Sequence, residues 1–215
     1  MAEQHPRVDY YFSFISLWSY IGSLVFQDIV KRRHVEVVYK PIDLLTVFAA
    51  GGGKPVRERP LQRQAYRLVE MERWKAIRNI PLVTWPKFYP ADPSLGHRML
   101  LVAIAEGRDV AAFVHAGLKA VWADELDVTD AETLVRLADQ SGLDGRRLLS
   151  GANDLAVQER EVNLTREAID RKLFGAPFYF YRDEPFWGQD RLDHLEQAIT
   201  SQRPPIATPD VRAAD

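Results

Sequence analysis

The sequence predicts an α/β protein in which a βαβ unit and a ββα unit flank a long all-helical block. Three observations predict it. Val8 to Ile15 is a run of apolar and aromatic strand formers, and from Leu17 to Val30 helical spacing takes over, with Tyr20, Leu24, Ile29 and Val30 apolar. Near the other end, Phe178-Tyr179-Phe180-Tyr181 and Pro185-Phe186-Trp187 flank the polar Arg182-Asp183-Glu184, as two strands flank a hairpin turn. Between them, from Pro60 to Lys172, apolar residues recur at three or four positions and no strand pattern interrupts.

The elements follow in order. Ser16 stands at the first strand–helix junction and is a candidate N-cap. A serine there is an ordinary cap. It also stands where orphan N–H groups and the helix dipole favour an anion. Val35, Val37 and Tyr39 alternate in a second strand that ends at Pro41, so the first two strands are expected to be parallel. Ala50-Gly51-Gly52-Gly53-Lys54-Pro55 is a loop without the spacing of a phosphate-binding loop. It is a connector, or a mobile cover whose Lys54, Arg57 or Arg59 meets an anionic ligand.

Leu61, Ala65, Leu68 and Met71 open the helical block, and Trp74 and Ile77 continue that helix. Prolines 81, 86, 90 and 93 then exclude a regular helix around Trp85, Phe88 and Tyr89. Further helices carry Leu95 to Ala103, Val110 to Val121, Ala131 to Ala138 behind an Asp130 cap, and Leu155 to Leu173. After the hairpin, Asp190 is expected to cap a last helix with Leu192, Leu195 and Ile199 on one side. Residues 201–215 carry prolines without periodicity and are expected to form a disordered tail.

Composition narrows the function. The 215 residues are 47% hydrophobic, enough for a real core. Lys plus Arg number 28 against 30 acidic residues, a net charge of −2 that argues against nucleic-acid binding through a basic face. There is no cysteine, which removes disulfide exchange and thiolate metal sites. The five histidines show no ligand-spaced pair, so no metal is expected and each is read as a surface or packing residue. No apolar run is long enough for a membrane span and the first residues do not resemble a signal peptide, so a cytoplasmic protein is expected.

Without its helical block the chain has the order of a thioredoxin-like fold. Residues 7–50 and 174–200 would form that domain, discontinuous in sequence, and residues 51–173 the inserted helical domain. Ile15-Ser16-Leu17-Trp18-Ser19-Tyr20, Phe174-Gly175-Ala176-Pro177 and Trp187-Gly188-Gln189-Asp190-Arg191-Leu192, in that order, resemble the 2-hydroxychromene-2-carboxylate isomerases. These are relatives of kappa-class glutathione transferases within the DsbA-like thioredoxin superfamily. The resemblance runs from about Val8 to Thr200 and includes Ile42-Asp43-Leu44 and Arg73-Trp74.

The resemblance implies glutathione as cofactor and Ser16 as the catalytic residue, donating a hydrogen bond that favours the glutathione thiolate. Ala176-Pro177 would be the cis-proline site that presents backbone to the cysteinyl part. Trp187, Gly188, Gln189 and Asp190 would hold the γ-glutamyl end, and Lys54 and Arg57 the glycyl carboxylate. Leu17 departs from a proline common in relatives, and Phe178 from a smaller polar residue. The implied activity is cis–trans isomerisation of a small aromatic or chromene carboxylate in aromatic-compound degradation. A kappa-like transferase and a non-catalytic thioredoxin-fold binding module are the alternatives. Exposed apolar stripes in the insertion would suit a homodimer.

Overall fold

The computed structural model describes residues 5–210. Four strands, β1 (Arg7–Phe12), β2 (Glu36–Pro41), β3 (Phe178–Tyr181) and β4 (Glu184–Trp187), form one sheet in the order β2-β1-β3-β4. β1 is parallel to β2 and antiparallel to β3, and β3 pairs antiparallel with β4. Helix α1 (Leu17–Arg33) makes the first crossover, as the βαβ reading expects. The hairpin is tighter than expected. Arg182 and Asp183 both have positive φ, so two residues turn the chain and Glu184 already belongs to β4.

The block between β2 and β3 holds α2 (Leu44–Ala50), α3 (Leu61–Arg78), α4 (Ser94–Ala105), α5 (Ala111–Trp122), α6 (Ala131–Gln140), α7 (Gly145–Gly151) and α8 (Leu155–Asp170). The last helix is α9 (Leu192–Ser201). Periodicity does not detect α2 and α7, because each spans only seven residues. Both are nucleated by an aspartate cap. Asp43 accepts from Leu45 N–H and Thr46 N–H, and Asp144 accepts from Arg147 N–H.

The sheet separates two apolar layers. On one face Tyr10 stacks between Phe12 and Tyr179, with ring centroids 4.8 and 5.0 Å away. This face joins α1, α9 and helices α4 to α7 in one continuous core. On the other face Tyr11, Phe178 and Phe180 pack with Ile42, Val47, Ala168 and Leu173 under α2 and α8. A polar strap reinforces that side: Lys40 bonds Glu167 at 2.6 Å and Arg171 bonds Asp9 at 2.7 Å. The helical block is thus packed into the sheet's own core.

Two expected apolar faces are placed differently. Leu24 is exposed on α1, whose inner side is Leu17, Tyr20, Ile21, Phe26 and Ile29. On α3 only Met71 is buried, while Leu61, Tyr66, Val69 and Ile77 face outward. Of the expected tail, Arg203 and the Ile206 N–H both bond Glu184 at the hairpin, and residues 211–215 lie outside the described residues. Among the described residues no helix is long and apolar enough to cross a membrane.

Candidate active site

The β1–α1 junction is built as a rigid turn. Ser16 N–H donates to Ser13 O at 2.9 Å, and Ser16 caps α1 by accepting from Ser19 N–H at 3.2 Å. The cap is in extended conformation and α1 has no acidic residue in its first turn, so the helix dipole there is uncompensated. The Ser16 hydroxyl donates to Ala176 O at 3.1 Å, across 160 positions of sequence. Ala176-Pro177 is a cis peptide. Two distant motifs therefore meet at one hydrogen bond. Ser16 as a whole is only 3% exposed.

The helical block holds this turn from behind. The Phe14 ring fills the space beside Gly96 of α4 and Gly117 of α5, where a Cβ would stand 2.7 Å from ring atoms. Phe14 N–H donates to His97 Nε2 at 3.2 Å, and Ser13 Oγ lies 3.4 Å from the same nitrogen. An accepting Nε2 puts the ring proton on Nδ1, which faces Glu161 Oε1 of α8 at 3.3 Å. His97 is wholly buried. It is a packing histidine as expected, with the added work of fixing the turn that carries Ser16.

Beside this junction opens a cavity of about 250 Å³, lined by Trp18, Glu70, Trp74, Ala176, Trp187, Gly188, Gln189, Asp190 and Arg191. A larger cleft of about 510 Å³ lies at the β2 edge against α1 and the start of α5, and includes none of these residues. The smaller cavity is the candidate site, because chemistry-bearing groups rather than size converge there. Three tryptophans give it broad apolar walls. The approach of chain is close: a Cβ on Gly175 would stand 2.7 Å from Trp187 Nε1, and Gly188 has φ +100°.

Of the residues singled out in the sequence, Ala176, Trp187, Gly188, Gln189 and Asp190 line the cavity, while Ser16 and Pro177 lie directly behind Ala176. Asp190 is not a helix cap. Gly188 precedes a three-residue 3₁₀ turn (Gln189–Arg191), α9 begins only at Leu192, and the Asp190 carboxylate bonds Arg191 at 2.7 Å. Freed from capping, it points at the cavity rim. Lys54 and Arg57 are exposed on the loop after α2 and do not line the cavity. Helix α2 approaches instead through Phe48, 3.5 Å from the position a Gly175 Cβ would take, with Arg59 of the following loop 5.6 Å over the Phe48 ring.

Several lining residues escaped the sequence reading as site residues. Trp18 sits two positions after Ser16, and Trp74 with Glu70 comes from one side of α3. Their signal was local: an aromatic beside a cap, and a helix too polar to be buried. Arg73 bonds Glu70 and holds its carboxyl below the usual carboxylate range. Among the described residues Arg67 and Arg59 make no ion pair. Arg67 bonds Met71 Sδ at 3.2 Å and lies 5.6 Å over Trp122, and burial lowers the pKa of both guanidinium groups. Tyr89 of the proline-rich loop packs on Trp122 at 4.7 Å. Among the described residues no three His, Asp or Glu side chains gather as a metal site would need.

A sheet of this order, with a helical insertion and a cis-proline opposite the β1–α1 junction, defines a class. Residues 7–200 match the model of the DSBA-like thioredoxin domain. A 2-hydroxychromene-2-carboxylate isomerase of Sphingobium xenophagum is 32% identical over 194 residues, covering 89% of this chain and 97% of the relative. A solved 2-hydroxychromene-2-carboxylate isomerase structure superposes with a TM-score of 0.76 at 30% identity, covering 91% of this chain and 95% of the other. The glutathione S-transferase kappa 1 of Caenorhabditis elegans is 23% identical over 217 residues, covering 94% and 93%. The chain belongs to the DsbA-like thioredoxin family and, within it, to the family of 2-hydroxychromene-2-carboxylate isomerases.

Proposed function

We propose that this protein is a glutathione-dependent isomerase of the 2-hydroxychromene-2-carboxylate type, acting on a small aromatic or chromene carboxylate. The observation that carries the reading is the Ser16 hydroxyl held on the Ala176 carbonyl, at a helix start, beside a cavity walled by three tryptophans. The residues fit the cofactor. Ala176 offers backbone to a peptide, and Asp190 and Gln189 offer polar groups at one end of the cavity.

Bound glutathione would supply a thiolate that adds reversibly to a conjugated carbon, letting the former double bond rotate before the thiolate leaves. The Ser16 hydroxyl, which donates to Ala176 O, would be the donor to the thiol sulfur of a bound glutathione. A free thiol has a pKa of about 8.5, so holding it ionised at neutral pH asks for about two units, roughly 2.7 kcal/mol. A hydrogen bond to a charged group contributes about 1.5–3 kcal/mol and a helix start roughly 0.3–1 kcal/mol. The two together suffice, and no histidine base is required. Trp18, Trp74 and Trp187 would exclude water from the cavity and offer apolar walls to a planar substrate.

The cytoplasm, where glutathione is abundant, is the compartment this reading requires. A homodimer would cover the outward Leu61, Tyr66, Val69 and Ile77 of α3. The similarity to the kappa transferase favours one second reading, conjugation of an electrophile by the same thiolate.

Calorimetry with glutathione, paired with ultraviolet absorbance of the bound thiolate, tests the proposal on the native chain and on Ser16→Ala. Binding with a thiolate signal that collapses in the variant is expected. A native chain that does not bind glutathione overturns both catalytic readings and leaves a binding module of unknown ligand. Product analysis with hydroxychromene carboxylate separates the two catalytic readings, since isomerisation returns free glutathione and conjugation consumes it.

A further inference from the structure

Arg78 occupies the last turn of α3, one residue before the left-handed Asn79 that ends the helix. Its side chain reaches across to the 3₁₀ turn. Nη2 donates to Gln189 Oε1 at 3.0 Å and lies 3.5 Å from Gln189 O. The guanidinium stacks 4.9 Å from the centre of the Trp74 ring. Its Nε is buried and has no partner. Among the described residues no carboxylate pairs with it, in contrast to Arg73 on the same helix, which has Glu70, and to Arg191 on the 3₁₀ turn, which has Asp190.

Both residues that Arg78 touches line the tryptophan cavity. A partly buried cation with spare donors and no counter-charge is costly for folding alone. A carboxylate in the cavity would complete it. Asp190 stands on the other side of Gln189, with its carboxylate half exposed. The two charges flank Gln189 with opposite sign, which is the complement of an amino-acid zwitterion, a carboxylate beside an ammonium.

We propose that Arg78, held against Gln189 and Trp74, supplies the positive charge that selects a ligand whose end carries an α-amino-acid carboxylate. The inference rests on the glutathione reading, in which that end is the γ-glutamyl group. Arg78 acts through Gln189 and through its field; it does not touch the reacting atoms.

The test compares two peptides on the full chain by calorimetry: glutathione, and γ-aminobutyryl-cysteinyl-glycine, which lacks only the γ-glutamyl carboxylate. The native chain is expected to prefer glutathione at least about tenfold, the scale of one charged hydrogen bond. Arg78→Met is expected to erase most of that preference while affinity for the decarboxylated peptide changes little. Arg78→Lys restores part of it. Arg78→Gln, a polar side chain without charge, serves where Arg78→Met does not fold, and is expected to lose the preference too. A variant that keeps the native preference, or that weakens both peptides equally, overturns the assignment while glutathione binding itself stands. A native chain that binds neither peptide overturns the glutathione reading and the assignment with it.

Discussion

The two walls of the tryptophan cavity are built differently. On the sheet side Ser16, Ala176 and Pro177 are buried and tied by the Ser16–Ala176 bond, and Phe14 behind them is clasped by Gly96 and Gly117. On the other side α3 buries only Met71 of its 18 residues, and presents Glu70, Trp74 and Arg78 from a helix lying mostly in solvent. The first wall is positioned by core packing, which tolerates little displacement. The second is positioned by fewer contacts, among them buried Met71, Arg67 over Trp122 and Arg78 on Gln189. A fixed wall suits the thiolate-stabilising role proposed for Ser16, and an adjustable one suits ligand entry.

The largest test of this contrast is Ser16→Ala. Turnover of hydroxychromene carboxylate is expected to fall on the order of a hundredfold, as when one donor to a developing anion is removed. Urea unfolding should show a loss of about 1 kcal/mol for the missing cap. A variant with native turnover would place the chemistry elsewhere.

Gly117→Val attacks the same wall from behind. The new side chain would drive into the Phe14 ring, so unfolding free energy is expected to fall by about 1–3 kcal/mol. Unchanged stability would mean that Phe14 is not clasped as described.

Trp74→Ala sharpens the other side. Because Trp74 is half-buried on a solvent-facing helix, thermal stability should change by less than about 1 kcal/mol. Glutathione affinity should fall roughly five- to tenfold as an aromatic wall is lost. A large stability loss instead would show α3 to be as deeply integrated as the sheet.

The smallest effect concerns neither wall. Arg203 hydrogen-bonds Glu184 and holds its carboxyl below the ordinary carboxylate range. The stability this pair contributes is present above the unfolded carboxylate value of about 4.3 and is lost as pH falls through the lower folded value. Urea midpoints of the native chain and Arg203→Met should therefore differ slightly at neutral pH and converge in acid. Parallel curves would deny the pair any part in acid unfolding.

Much of the contrast was legible along the chain on one side only. Ser16 announced itself because a strand pattern meets a helix pattern there, and Ala176-Pro177 and the Trp187–Asp190 run because short motifs keep their order. Asp190 misled as a cap, since a 3₁₀ turn interposes before α9 and that turn has no capping side-chain bond. Trp18 and Trp74 stood within family-like motifs without being read as site residues, because a cavity wall is assembled from single residues of separate elements. His97 looked ordinary for the same reason: its partners are 83 positions upstream and 64 positions downstream.

The sequence by itself determined the periodicities, and through them the βαβ unit, the longer helices and the hairpin, and its composition excluded a thiol of the chain's own. These follow from local sterics and from which residues alternate between water and core. The tertiary structure alone decided that Ser16 faces Ala176, that the helical block shares the sheet's core, and that α3 leaves an unpaired arginine beside Gln189. Each is a contact between segments far apart in sequence, and such contacts are set by how whole apolar faces stack rather than by any residue's neighbours in the chain.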